Sequence, residues 1–533
     1  MRHLLRLTLV TALGLLLGLA VSQGEKVLIV AVPGDIDTFD PGFTVGSKPS
    51  QTTIQNTFDQ LTQYAVVNRT LPDGTPYQTV DTSQILGMLA ESYELADGGS
   101  TVIFHVRPGL TYSDGTPIDA SAVVNGYRRI FGSGGISVFL LSMGGAVTSG
   151  DAFQVIDNLT LSMRMSKANN ITLLNNTMHN TSALNPREIE AHATADDPWA
   201  TGYFRQNLGI GNGPFVLEEY VPGDRIVLRA RDDYYGDRAK LDRVIMKIIS
   251  DPAQRELLLR TGAVDMVDVI PFSAVSRFRS DPRVQLLSIP TTRTNHLIMN
   301  NAIAPFDNQL VRQAVNYAIP YDLLLSQVTF GNARPARSPV NEGMPSSDYS
   351  FWHYDTNPDR ARELLAQAGF PGGQGLPAIK LSVRIGDEID ERTAVIVQDA
   401  LAQVGMPVRI ERLAFAAFNQ LQQAHQLQFF VDNWISWVND PFYHLFWNFY
   451  SRSPTNYGNF SNARVDELID TLLLSDDAAA RDAGSREIQQ IVIEEAPWAL
   501  LYNPNFIVAM RKNVTGYVYY NDELTRFVHM DKN

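Results

Sequence analysis

The sequence predicts an α/β protein large enough for two lobes, with a separate α+β subdomain towards its amino-terminal end. Three observations carry this reading. The chain has 533 residues, and at about 150 residues per domain that gives three or four domains or two large lobes. Strand-like and helix-like stretches alternate along much of it, which is the grammar of a sheet covered by helices. Between Ser47 and Trp199 the texture shifts to many Thr, Asn, Ser and Gly residues, which sets that region apart.

The amino terminus, "MRHLLRLTLVTALGLLLGLAVSQGEKV", opens with Arg2, His3 and Arg6, continues with an apolar run from Leu7 to Val21 and reaches small residues at Ala20 and Ser22. This pattern is a secretory signal peptide over residues 1–22, with the mature chain beginning near Gln23. The apolar run is shorter than the roughly 20 residues a spanning helix needs. The chain has no cysteine, so it is expected to carry no disulfide, no thiolate metal site and no acceptor for an amino-terminal lipid. A free, non-lipidated protein of a periplasm-like compartment is the expectation.

Composition bounds the chemistry. Hydrophobic residues make up 44% and charged residues 19% of the chain, which suits a folded protein with a sizeable core. The formal charge of −14 disfavours a nucleic-acid partner, because phosphate would be repelled and no basic patch compensates.

The elements then follow in order. "KVLIVAVP" reads as a buried strand ending in "GDIDTFDPG", which offers Asp35 and Asp37 at a strand's carboxyl end, a usual ligand position in α/β folds. Within the subdomain, "STVIFHVRPGLTYSDGTPI" reads as strand and turn, and Asp119 caps the helix "DASAVVNGYRRIF". "GPFVLEEYVPGDRIVLRARDDYYG" is a hairpin, "LDRVIMKIIS" another strand and "DPAQRELLLRTG" a helix, leading to "AVDMVDVIP". Asn308 caps "QLVRQAVNYAI", and Asn357 with Pro358 starts "DRARELLAQAG". "IKLSVRI", "ERTAVIVQDALAQVG" and "PVRIERLAF" form a βαβ unit with a parallel strand pair. The strand-like "LQFFV" comes next, and "DNWISWVNDP" follows it at a strand exit.

Catalytic signatures are missing. There is no G-x-S-x-G elbow, no H-E-x-x-H, no phosphate-binding P-loop and no dinucleotide fingerprint. The nine histidines include no pair at i, i+2 or i, i+4, and adjacent carboxylates such as Glu218/Glu219 point apart. No catalytic residue, metal or cofactor is expected.

The stretch "DNWISWVNDP" carries the candidate ligand contacts. It fits neither a helical nor a strand template, since Asn439, Asp440 and Pro441 end any helix begun by Trp434 and Trp437. Two readings of it stand side by side. One is a tryptophan pair packed in the core before a turn; the other is a binding loop in which Trp434 and Trp437 stack on a ligand while Asp432, Asn433, Ser436, Asn439 and Asp440 orient it.

Four stretches together resemble the family 5 extracytoplasmic solute-binding proteins of ABC importers, the dipeptide- and oligopeptide-binding group. They are "VAVPGDIDTFDPG", "LAESYELADGGSTVIFHVRPGLTYSDGTPIDASAVV", "GNGPFVLEEYVPGDRIVLRARDDYYGDRAKLDRVIMKII", and "APFDNQLVRQAVNYAI" with "ARELLAQAGFPGG". The resemblance implies a two-lobed periplasmic-binding-protein fold, type II-like and of cluster C, with the extra α+β subdomain in the first lobe. It places lobe I at residues 23–46, 200–290 and 505–533, the inserted subdomain at 47–199 and lobe II at 291–504. It also implies a monomeric binding protein, not an enzyme, that closes on a solute and delivers it to a membrane permease.

The same resemblance exposes a departure. Relatives that bind peptides carry tryptophan, two variable residues and an aspartate that anchors the ligand's amino group; here Trp434 matches and Trp437 stands in the aspartate's place. A buried ammonium without its carboxylate is costly. Peptides therefore require another acid, with Asp35, Asp37 and Asp432 the candidates, whereas an oligosaccharide would stack on the two tryptophans directly. A secreted hydrolase is the alternative of another class, and a chaperone-like or adhesive surface protein a third.

Overall fold

In the computed structural model, residues 24–44 and 46–533 are described, so the expected signal peptide lies outside the described residues. The strand Val27–Val32 is apolar throughout because it has no wet face: it runs parallel to Arg243–Ile248 on one side and Met266–Val267 on the other. Leu28, Val30 and Val32 enter one apolar cluster and Ala31 another. Such continuous hydrophobicity marks a strand covered on both faces.

This strand belongs to a twelve-stranded sheet built in two halves. One half adds the antiparallel hairpin Phe215–Val221 and Arg225–Ala230 beside Arg243–Ile248. The other is centred on Ile379–Arg384, parallel to both Val408–Leu413 and Phe429–Trp434. The expected βαβ unit is present, with helix Glu388–Gln403 as its crossover and Asp387 capping it.

Two segments join the halves. Strand Trp498–Arg511 pairs through Trp498–Tyr502 with Thr294–Met299 in one half, and through Asn505–Arg511 with Val284–Pro290 in the other. The chain therefore passes between halves at residues 290–294 and again near 503–505, which is the layout of a two-strand hinge. Arg293, in the first crossing, donates to Glu523 on one side and to Asn433 on the other.

The hairpin Thr62–Thr70 and Pro76–Gly87 pairs with Val518–Tyr519, whereas Ala90–Ala96, Thr101–Val106, Phe153–Val155 and Thr160–Arg164 form a separate antiparallel sheet, packed on helix Ala120–Ser133 with its Asp119 cap. Phe104, Phe153, Leu161 and Met163 are fully buried there. The helix Lys48–Thr57 departs from surface amphipathicity. Every residue from Pro49 to Thr57 is buried despite the polar sequence "PSQTTIQNT", and its side chains bond internally, as Asn56 does to the carbonyls of Thr52 and Thr525.

Two details differ from the sequence expectation. "AVDMVDVIP" contributes only the two-residue strand Met266–Val267, because the flanking acids Asp265 and Asp268 turn away to meet Lys532 and Lys48. Satisfied or solvated histidines are the ordinary expectation for such a sequence, yet His444 is fully buried with both ring nitrogens unpartnered among the described residues.

Candidate ligand-binding site

The stretch Asp432–Pro441 divides among the end of a strand, a loop over 435–439 and the start of a helix. Asp432, Asn433 and Trp434 finish the strand Phe429–Trp434, whose alternate residues face opposite layers. Asp440 caps, and Pro441 opens, the helix Pro441–Phe449. No helix begins at Trp434 or Trp437, and Asp440-Pro441 starts the next one. Proline has no amide hydrogen to lose in a first turn, and the Asp440 carboxylate accepts from the amides of Phe442 and Tyr443 at 2.8 and 3.0 Å.

Most of the polar candidates in this stretch are occupied by the fold. Asp432 accepts from Arg384 at 2.9 Å and from Gln422 at 2.6 Å. Asn433 accepts from Arg293. The Ser436 hydroxyl donates to the carbonyl of Val438 at 2.7 Å. Asp440 also pairs with Arg481. Trp434 packs on Trp447 with ring centroids 6.5 Å apart. Two residues reach across instead: Asn439 donates to the Thr82 hydroxyl at 2.9 Å, and Trp437 meets the His179 ring, both partners lying within residues 47–199.

The acids of the first strand's exit loop are likewise engaged. Asp35 accepts from the Tyr220 hydroxyl at 2.9 Å and the Gly223 amide at 2.7 Å, and Asp37 accepts from the Ser50 hydroxyl at 2.7 Å.

A cavity of about 640 Å³ lies where the inserted subdomain, the carboxy-terminal segment and Trp437 converge. This is within the usual range for enclosing a small ligand, roughly 300 to 1,000 Å³. Of the nine residues named from the sequence, Trp437 alone lines it among the described residues. Its charged lining includes Asp59, Arg107, Asp522 and Arg526, none of them foreseen.

Asp522 and Arg526 form a two-point ion pair, with Nη2 to Oδ2 at 2.6 Å, and the guanidinium lies 3.9 Å from the Tyr520 ring centre. Burial works against the Asp522 carboxylate, yet Arg526 holds it below the usual carboxylate range. Burial has the opposite result at Asp59, whose carboxyl is pushed up to about 6 although the hydroxyls of Tyr234 and Tyr235 both donate to it at 2.8 Å. His179 is lowered by burial to about 4 and faces the cavity as a neutral ring.

One of these residues had a visible mark: Asp59 is the sole carboxylate between Lys48 and Pro72, inside a nearly uncharged stretch. Asp522 sits near the far end of the chain, and nothing local pairs it with the subdomain. No helix among the described residues is long and apolar enough to cross a membrane, and no group of three or more metal-binding side chains occurs among them.

The profile described as "Bacterial extracellular solute-binding proteins, family 5 Middle" matches residues 84–456, well over half of the chain. The chain belongs to this family. The family 5 assignment agrees with curated relatives across nearly the full length. The probable D,D-dipeptide-binding periplasmic protein of Escherichia coli K12 is 26% identical over 503 residues, covering 93% of this chain and 92% of that protein. The glutathione-binding protein of Salmonella paratyphi A is 26% identical over 454 residues, 81% and 83% of the two chains. Among solved structures, a Helicobacter pylori periplasmic binding protein in complex with the peptide STSA superposes with a TM-score of 0.82 at 22% identity, covering 96% of this chain and 99% of that one. The oligopeptide-binding protein of Bacillus subtilis with a nonapeptide gives 0.79 at 22% identity, covering 96% and 99%. The architecture is therefore the two-lobed one of family 5.

Proposed function

We propose that this family 5 protein is the extracytoplasmic substrate-binding component of an ABC importer and that it captures a short peptide between its lobes for delivery to a membrane permease. The carrying observation is the cavity itself. It lies where Trp437 meets residues 47–199, and carboxylate and guanidinium groups both line it, which suits a ligand bearing both charges. The names of the relatives support the same class of ligand. The division at 23–46, 200–290 and 505–533 against 291–504 is part of this reading, supported by the two chain crossings near residues 290–294 and 503–505. So are secretion by a signal peptide, the absence of a lipid anchor, a monomeric state and the absence of catalysis.

The oligosaccharide reading needs Trp434 and Trp437 to act as one stacking platform, and Trp434 is turned to Trp447. The hydrolase reading needs a free acid and base, and Asp522 is held by Arg526 while Asp59 is held by the hydroxyls of Tyr234 and Tyr235.

Thermal unfolding of the mature protein with short peptides and with oligosaccharides tests the proposal. A ligand at 100 times its dissociation constant adds roughly 2.7 kcal/mol to the folded state. Stabilisation by peptides alone supports the reading; stabilisation by oligosaccharides alone overturns it.

A further inference from the structure

Arg293 stands in the first crossing, after the end of Val284–Pro290 and before the start of Thr294–Met299, so its backbone belongs to neither half of the sheet. Its guanidinium has an arm in each. On one side Nε and Nη2 donate to the two carboxylate oxygens of Glu523, at 3.4 and 2.6 Å. On the other, Nη1 donates to the side-chain oxygen of Asn433, which pairs with Asn295 in the strand Phe429–Trp434. Both partners are protein groups, so the bridge favours the arrangement that makes it whatever solute is bound.

The anchor at Glu523 is firm. Tyr517, Tyr519 and Phe527 flank it in the apolar cluster of Leu28 and Val244. Glu523 itself is buried with φ at +58°, a left-handed conformation that a residue other than glycine keeps only where its surroundings enforce it. Its amide donates to the Tyr520 carbonyl at 2.8 Å, and Tyr520, Asn521 and Asp522 line the cavity. The second crossing is tied to the first: the Asn503 side-chain amide donates to the Arg293 carbonyl and the Thr294 hydroxyl, both at 2.9 Å, and the Thr291 hydroxyl to the Pro504 carbonyl at 2.8 Å. The two crossings therefore bend as one unit. Rotation about that unit carries Asn433 away from Glu523, and a hydrogen bond is lost once its atoms part beyond about 3.5 Å. One guanidinium does not follow both.

We propose that Arg293 is a positioning residue for closure: it straps the lobes together through Glu523 and Asn433 and so keeps part of the unliganded protein in the closed form before any solute arrives. An arriving solute then has less of the closing equilibrium to shift. The inference goes beyond the peptide reading and rests on the two-lobed architecture alone, since no solute group takes part in the strap.

Single-molecule energy transfer on the solute-free mature protein tests this, with one dye on each lobe at introduced cysteines; the chain has no cysteine of its own to compete for label. Wild type is expected to show a closed population, and Arg293→Met and Glu523→Gln each to reduce it at least 3-fold. The double variant should lose no more than Arg293→Met alone, because the two changes break one bridge. Arg293→Lys keeps the charge pair with Glu523, but its ammonium lacks the fork that reaches Asn433 as well, so it should fold like wild type and still lose the closed population. That variant is read even if Arg293→Met fails to fold. A merely structural ion pair would lower the unfolding temperature of the variants and leave their closed fraction unchanged; that result overturns the proposal, and so does a wild type with no closed population. No peptide is present in these measurements, so a failure of peptides to bind falls on the functional reading and not on the strap.

Discussion

The indole of Trp437 stands edge-on to the imidazole of His179, with ring centroids 6.1 Å apart and planes at 64°. The first residue leaves the strand exit of one half of the sheet and the second belongs to the inserted subdomain, so the contact closes the cavity from both sides. Replacing Trp437 by alanine removes that wall. The expected cost is about 2 kcal/mol of ligand affinity, roughly 30-fold, measured by calorimetry with a peptide that stabilises the wild type.

The same closure brings Gly144 onto Leu473 and Leu474. Its φ is +62°, and a Cβ there would lie 2.8 Å from the Leu473 Cδ2. Around this point Met143, Leu174 and Met178 of the subdomain share one apolar cluster with Phe442, Leu473 and Leu474. Gly144→Val is expected to hold the lobes apart as well as strain the local backbone by about 1 kcal/mol. Solution scattering should report a larger radius of gyration in the presence of ligand than wild type gives, and a weaker affinity.

Asp40 and Arg129 form a fully buried pair, the Asp40 carboxylate accepting at 2.6 and 3.1 Å. Arg129 also donates to the Trp199 carbonyl at 3.0 Å, so one guanidinium ties the first strand's exit loop to the end of the subdomain. Arg129→Met strands a buried carboxylate, and denaturant unfolding should show a loss of about 3 to 5 kcal/mol. The double variant with Asp40→Asn should recover part of it, because the uncompensated charge is then gone.

Acid should destabilise the protein through three histidines. Burial lowers His179 and His296 to about 4 and His444 to about 3, the last also repelled by His296. Above an unfolded value near 6.5 both states are neutral and stability is full. As pH falls below 6.5 the unfolded chain takes protons the folded one refuses, so stability declines until about pH 4, where the folded rings protonate too. Each histidine contributes a loss on the order of 3 kcal/mol over that window. Asp59, raised by burial to about 6, opposes this between pH 6 and 4. Unfolding free energy measured from pH 7.5 to 4.5 should fall in wild type and fall less steeply in His444→Leu.

The sequence by itself determined the local structure and the class of fold. Asp119, Asn308 and Asn357 each cap the helix expected of them, because a cap bonds to amides two or three residues away. The apolar run at Val27–Val32 and the βαβ unit follow from periodicity, which is also local.

Tertiary structure alone decided which residues meet at the cavity. Asp35, Asp37 and Asp432 carry the right chemistry but spend it on Tyr220, Ser50 and Arg384, partners 185, 13 and 48 residues away that no periodicity announces. Asp59, Arg107, Trp437 and Asp522 lie hundreds of residues apart at the extremes, and only the return of the chain through the Trp498–Arg511 strand brings the last of them back against the first. Sequence patterns report neighbours within a turn or a strand step; a binding site between lobes is made of contacts whose partners are set by packing.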